Sequence, residues 1–253
     1  MNEKARLALI LSALLFSPLA ISATEVPIPA GSYVPFFSAN KKPVSVPSFF
    51  FDTYPVTEGN FLEFIRARPD WARSKAKRLF VDANYLHDWK SDFKISKKNI
   101  PVTFVSWFAA KAYCQWRGAR LPSTDEWEYV ARASETKKDA VRDAGFKKRL
   151  LEWYEKPASD PMPKVGSTFR NVYGVYDMHG LIWEWVSDFN STLLNDGRSA
   201  GEKLPQNLFC AGGASGAADP TDYAAFMRLA FRSSLKGNYT LKTLGFRCAR
   251  SKK

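Results

Sequence analysis

The stretch GVYDMHGLIWEW, residues 174–185, decides how this chain folds. It places two tryptophans, an aspartate and a glutamate close together in sequence, with glycines at positions 174 and 180. Tryptophan buries a large area per residue. With Trp127, these two tryptophans are expected to build the core of a chain whose helical patterns are short. We therefore expect these aromatic residues to have a structural role.

Around this stretch the chain has the composition of a globular protein. It has 253 residues, of which 45% are hydrophobic, 15% aromatic and 25% charged. These values exclude wholesale disorder, a collagen-like fibre and a polytopic membrane protein. Two histidines and three cysteines are too few for a disulfide-knot scaffold or a Cys/His zinc cluster.

The first 23 residues have the pattern of a secretory signal peptide. Lys4 and Arg6 precede the apolar run 7–16, and small residues lead up to Ala23. We expect cleavage after Ala23, a single mature domain at 24–253, and a periplasmic or other extracytoplasmic location that permits disulfides. An uncleaved anchor is the alternative, although the run is short for a bilayer span.

The charge is strongly positive, with 37 Lys and Arg against 25 Asp and Glu. For an exported protein this balance favours an acidic envelope component or protein client over nucleic acid. Part of the charge is clustered between Arg66 and Arg78. The alternative is an ordinary solvated surface.

Local signals predict short elements. Residues 24–56 are rich in proline and aromatic residues and predict short strands. Thr57, Ser106 and Ser123 are predicted helix N-caps, and Glu126 gives Ser123 a capping box. Residues 135–170 predict a long loop or a short helical insert, and the last third predicts no long helix. We therefore expect an irregular α+β domain.

Several ordered segments resemble one known family. They are FDTYPVT (51–57), PVTFVSW (101–107) with AYC (112–114), RLPSTDEWEY (120–129), GVYDMHGLIWEW (174–185) and LGFRC (244–248). Together they resemble the formylglycine-generating enzyme family, also called the sulfatase-modifying factor domain, over nearly all of residues 24–253. The resemblance implies a compact α+β fold of C-type-lectin-like ancestry with little regular secondary structure.

The resemblance implies a family activity that this chain does not match. The family oxidises a cysteine of a client sulfatase with oxygen and copper, which two thiols hold. Aligned with the family, Ala224 and Asp219 stand at the thiol positions, and counting forward from the glycine turn puts Ala217 at the first of them. Ala214 replaces the active-site serine, and residues 213–247 contain no cysteine. We therefore expect no copper site and no formylglycine generation.

The remaining cysteines and the acidic residues of 174–185 have structural or metal roles in the family. The resemblance implies a disulfide between Cys114 and Cys248. It leaves Cys210 as a buried small residue, a reactive thiol or a link to a partner.

The resemblance also implies a calcium site. Its ligands are expected at Asp177, Gly180, Ile182 and Glu184, since carboxylates and carbonyls are hard oxygen donors. The alternative is that Glu184 pairs with an arginine in the core.

Two functions remain open at this stage. The first is a binding, accessory or regulatory role in the cell envelope through a pocket at Trp183, Ala214, Asp219, Ala224 and Arg232. The second is a divergent periplasmic oxidoreductase, such as a siderophore-maturation oxidase, in which Asp219, Asp222 or Tyr223 would be catalytic. Residues 214–224 are small and acidic, which favours binding. Whether any catalysis remains stays open.

Overall fold

The structure is a computed structural model that describes residues 24–35, 42–156, 159–190 and 220–252. The expected signal peptide, Ala214, Asp219, Cys210 and the side chain of Asp222 lie outside this described part. Among the described residues, no helix combines the length and the hydropathy that crossing a bilayer requires.

The strands are short and pair in small sheets. They are β1 (Glu25–Ile28), β2 (Gly31–Tyr33), β3 (Val44–Val46), β4 (Phe49–Asp52), β5 (Trp183–Glu184), β6 (Leu244–Gly245) and β7 (Ala249–Ser251). Strand β4 lies between β1 and β7 in an antiparallel sheet, β2 pairs with β3, and β5 runs parallel to β6. The β4 sheet therefore joins residues that are more than 190 positions apart in sequence.

The helices begin where the sequence predicts caps. They are α1 (Glu58–Ala67), α2 (Trp107–Trp116), α3 (Thr124–Ala131), α4 (Ala144–Glu155) and α5 (Pro220–Ser234), with a short 3₁₀ turn at Pro69–Trp71. Thr57, Ser106 and Ser123 each accept a hydrogen bond from a backbone N–H of the first turn. Glu126 completes the predicted capping box, and Asn60 does the same for Thr57.

Helix α5 corrects the prediction that the last third contains no long helix. It has 15 residues, and α4 supplies the helical insert that was one of two predictions for residues 135–170. Pro220 stands in the first turn of α5, where the missing N–H is not needed. Good helix formers follow it, and the apolar side chains of Ala224 and Leu229 are buried.

The core is aromatic and is joined by a disulfide. The ring of Phe61 lies 5.7 Å from Tyr113 and 6.1 Å from Phe246, centroid to centroid. The predicted disulfide between Cys114 and Cys248 is present and joins α2 to the residue before β7. Gly245 contacts the carbonyl of Val102 so closely that a Cβ there would collide with it.

The prediction that three tryptophans form the core holds for two of them. Trp127 and Trp185 are buried, with 2% and 0% of their surface exposed. Trp183, two positions before Trp185, is only half-buried. Because residues alternate across β5, Glu184 points into the core and Trp183 points the other way.

Candidate functional site

Asp177 anchors a neighbouring turn of the chain. It is fully buried and has a positive φ of 58°. Its carboxylate accepts hydrogen bonds from the backbone N–H of Gly166 and, at 3.0 Å each, from the N–H and the hydroxyl of Thr168. Asp177 therefore fixes residues 166–168 against the motif.

Glu184 is held by an arginine in the core, which is the alternative that the sequence left open. Both side chains of the Glu184–Arg247 pair are 0% exposed, and Nη2 of Arg247 lies 2.7 Å from Oε1 of Glu184. Nε of Arg247 donates to both carboxylate oxygens, at 3.0 Å and 2.8 Å. The indole N–H of Trp127 donates to Oε2 at 2.7 Å.

The two carboxylates predicted to bind calcium already have hydrogen-bond partners within the protein. A carboxylate offers about four acceptor positions, and those of Glu184 are filled by Arg247 and Trp127. Asp177 accepts three hydrogen bonds from the protein. Calcium would have to displace these donors in order to bind. The calcium site at Asp177, Gly180, Ile182 and Glu184 stays a prediction, and the ion pair is its alternative.

A second buried ion network links α3 to α5. Glu128 accepts from Nε and Nη2 of Arg228, the latter at 2.6 Å, and from Nη1 of Arg232 at 2.9 Å. Burial raises the pKa of Glu128, but the guanidinium of Arg228, followed by that of Arg232, outweighs burial and lowers the pKa to about 2. Glu128 is therefore ionised near neutral pH and holds α5 in place.

His179 lies in an aromatic cage beside this network. The rings of Trp127, Phe146, Trp153 and Phe169 lie within 6.3 Å of its ring. Its Nε2 lies 2.8 Å from the carbonyl of Ala131, while its buried Nδ1 has no hydrogen-bond partner. Burial, followed by the charge of Arg228, lowers the pKa of His179 to about 3, so the ring is neutral.

Half-buried aromatic rings surround Trp183 and form what we call the aromatic platform, which consists of Trp153, Tyr154, Trp183 and Phe231. The ring of Trp183 lies 4.5 Å from Phe231, 5.0 Å from Trp153 and 5.4 Å from Tyr154. Partly exposed aromatic rings present a large apolar area, which is typical of binding surfaces.

The other predicted pocket residues that the structure describes are inside the protein. Ala224 is 1% exposed and Arg232 is 3% exposed. Tyr223, a candidate catalytic residue, is 39% exposed on α5. Trp183 packs against Phe231 of α5, and the next residue of that helix, Arg232, pairs with Glu128.

Sequence reasoning missed the Glu128 network and the platform residues of α4. The spacing of Arg228 and Arg232, four positions apart, puts both on one face of a helix. This spacing would have indicated a shared partner if α5 had been predicted. Nothing local indicated Glu128, because it is 100 residues from Arg228 in sequence.

Comparisons with known proteins agree with this architecture. A profile of the sulfatase-modifying factor enzyme 1-like domain matches residues 18–252. Mouse formylglycine-generating enzyme is 26% identical over 309 aligned positions, which cover 92% of this chain and 76% of that protein. Mouse inactive C-alpha-formylglycine-generating enzyme 2 is 30% identical over 184 positions, which cover 57% of this chain and 59% of that protein. The chain therefore spans less than two thirds of the inactive relative.

A solved structure shares the fold. PvdO from Pseudomonas aeruginosa aligns over 90% of this chain and 94% of its own, with a TM-score of 0.50 and 22% identity. Together with the profile match, this confirms the prediction of an α+β fold of the formylglycine-generating-enzyme type.

Proposed function

We propose that this chain, which belongs to the family of sulfatase-modifying factor enzyme 1-like domains, is a binding or accessory factor of the cell envelope and does not generate formylglycine with copper. The number of free thiols supports the proposal that the chain does not use copper. The chain has three cysteines, and Cys114 and Cys248 are bonded to each other. Only Cys210 is left, so one chain cannot supply the pair of thiolates that the family uses for Cu(I).

The surroundings of Ala224 support the same conclusion. The resemblance aligns Ala224 with a thiol position of the family. Its side chain is enclosed by apolar residues that include Phe146 and Leu150 of α4. The hydroxyl of Tyr154 donates to the carbonyl of Ala224 at 3.2 Å. Helix α4 thus packs apolar side chains over this position.

The aromatic platform is the face that we propose for recognition. Trp and Tyr are enriched among the residues that dominate binding energies. The polar groups beneath the platform are paired with one another, since Glu128 holds Arg228 and Arg232. Tyr223 adds an exposed ring on α5. The envelope location depends on the predicted signal peptide and is part of the proposal.

The alternative is an oxidoreductase of the same family that does not use copper thiolates, such as a siderophore-maturation oxidase. One observation favours it: hercynine oxygenase of Mycolicibacterium smegmatis, a relative named for a different oxidation, is 28% identical over 204 positions, which cover 66% of this chain and 46% of that protein. In that case Asp219, Asp222 or Tyr223 would carry proton transfer or hold a metal.

A photo-crosslinking experiment tests the binding role. A photoreactive side chain at Tyr223 in envelope preparations should capture one defined protein, and Trp183→Ala in the same chain should abolish the product. The matched control carries the reactive group at Val34, which is equally exposed at 40% but, unlike Tyr223, is not on a helix that contributes to the platform. Identical products from both positions, or a product that survives Trp183→Ala, would contradict the recognition face. Mass spectrometry of the same preparation tests the location, for which we expect an N-terminus at Thr24.

A further inference from the structure

A segment far in sequence from the aromatic platform, residues 73–98, concentrates positive charge. It has eight cations against three aspartates, so it supplies +5 of the formal net charge of +12. All eight cations are exposed; they are Arg73, Lys75, Lys77, Arg78, Lys90, Lys94, Lys97 and Lys98. We call the surface of residues 73–98 the basic surface.

The cations of the basic surface differ from the buried arginines in their pairing. Within the described part of the chain, none of the eight forms an ion pair, whereas Arg117, Arg228 and Arg247 do. Two of the three aspartates of the segment accept hydrogen bonds from backbone N–H groups instead. Asp82 accepts from the N–H of Thr240 at 2.9 Å, and Asp92 accepts from the N–H of Ser74 at 2.9 Å.

The segment folds onto itself, which brings its two cation-bearing halves close together. Nη1 of Arg73 donates to the carbonyls of His87 and Trp89, at 3.4 Å and 3.3 Å. The bond from Ser74 to Asp92 adds a second link between the two halves of the segment. The N–H of Lys90 donates to the carbonyl of Lys94 at 2.9 Å and closes a turn.

Two apolar side chains project from the same segment. Leu79 is 76% exposed and Phe93 is 52% exposed, which makes them the most exposed large hydrophobic residues of the described chain. Exposed apolar groups among lysines and arginines are typical of surfaces that lie in the interface of an anionic bilayer. A soluble polyanion would match the cations but would give Leu79 and Phe93 no apolar environment.

We propose that the basic surface docks on a bilayer that contains anionic phospholipid. Its cations lie at the headgroups, and Leu79 and Phe93 enter the interface. The proposal does not depend on the function of the aromatic platform, because the two surfaces share no residue.

Vesicle co-sedimentation of the full chain tests the role of charge. We expect binding to vesicles of phosphatidylcholine with phosphatidylglycerol and little binding to phosphatidylcholine alone. Lys75→Glu with Lys77→Glu and Arg78→Glu should weaken binding at least about ten-fold. The control reverses three exposed cations elsewhere, Lys138, Arg142 and Lys164, to glutamate and should keep the wild-type affinity. Equal losses in both triple variants, or equal binding to both kinds of vesicle, would overturn the proposal.

A second variant separates a bilayer from a soluble acidic partner. Leu79→Ser with Phe93→Ser leaves every charge in place. We expect it to bind anionic vesicles roughly ten-fold more weakly, since two buried apolar side chains are lost, and to bind heparin as the wild type does. Because both side chains are exposed, folding should be unaffected, and a wild-type circular dichroism spectrum checks this. Wild-type affinity of this variant for vesicles would overturn the proposal and assign the surface to an acidic polymer or protein.

Discussion

Arg247 and Glu184 face each other in the centre of the fold with both side chains wholly enclosed, and the guanidinium lies 2.7 Å from the carboxylate. The same guanidinium donates to the carbonyl of Tyr176 at 3.0 Å and to that of Asp52 at 3.2 Å. One arginine of the LGFRC segment thus ties the 174–185 motif to strand β4. The family resemblance predicts that Glu184 binds calcium. The ion pair with Arg247 is the alternative role for the same carboxylate.

Loss of the Glu184 charge should be costly. Glu184→Gln leaves Arg247 buried without a counter-charge, and we expect the free energy of unfolding to fall by about 3–5 kcal/mol. The control, Glu63→Gln, removes a surface partner of Arg66 and should cost less than about 1 kcal/mol. Urea unfolding of both variants gives the comparison.

The same proteins decide between the ion pair and calcium. If Arg247 and Trp127 occupy the acceptor positions of the Glu184 carboxylate, calcium should leave the melting temperature of the chelator-treated wild-type protein unchanged. A rise with calcium that Glu184→Gln abolishes would support the calcium site and contradict the ion pair as the role of Glu184.

Loss of the Glu128 charge should destabilise the attachment of helix α5. Glu128→Gln leaves Arg228 and Arg232 buried together, which should destabilise the fold by about 3–5 kcal/mol. Glu135→Gln, which removes the exposed partner of Arg149, is the control and should cost less than about 1 kcal/mol. Amide hydrogen exchange should show early opening of α5 in the Glu128 variant, and unchanged protection of α5 would argue against this role.

His179 should make the fold sensitive to mild acid. Its pKa falls from 6.5 to about 3 on folding, chiefly by burial, while Arg228, Glu128 and Arg149 also act on it. Between those values the unfolded chain binds a proton that the folded chain excludes. The free energy of unfolding therefore falls as the pH drops, by at most about 1.4 kcal/mol per pH unit.

Above pH 4.5 the effect of His179 on the free energy of unfolding can be measured without that of Glu128. The pKa of Glu128 falls from 4.5 to about 2, so its contribution is lost only at lower pH. We expect His179→Phe to flatten the dependence between pH 6.5 and pH 4.5, measured by urea unfolding. The same slope in wild type and variant would refute the assignment.

The disulfide should contribute strongly to stability. It joins residues 134 positions apart, for which loop entropy gives up to about 5 kcal/mol. We expect Cys114→Ser with Cys248→Ser to lose much of that value, while Cys210→Ser changes little. Peptide mapping without reductant should find Cys210 unpaired, and a bridge between Cys210 and either other cysteine would contradict the assignment.

Sequence predicted those features that local signals encode. The caps at Thr57, Ser106 and Ser123 were predicted because a cap and its first turn are adjacent in sequence. The resemblance predicted the disulfide. Helix α5 was missed because glycines and turn-forming residues crowd the stretch before it.

The candidate site was harder to predict because it is assembled from distant parts of the chain. Glu128 and Arg228 are 100 residues apart, and only the packing of α3 against α5 joins them. The partial exposure of Trp183 depends on which side of β5 faces the core. A motif read along the chain gives no such information.

The most direct test of the central claim is whether the chain forms an aldehyde. The protein is incubated with copper, oxygen and a Cys-x-Pro-x-Arg peptide, and mouse formylglycine-generating enzyme serves as the positive control. Mass spectrometry then measures conversion of the peptide cysteine. We expect an unchanged peptide mass, because one remaining thiol cannot form a two-thiolate copper site. A peptide converted to formylglycine would contradict the account and would show that Cys210 takes part in a catalytic site.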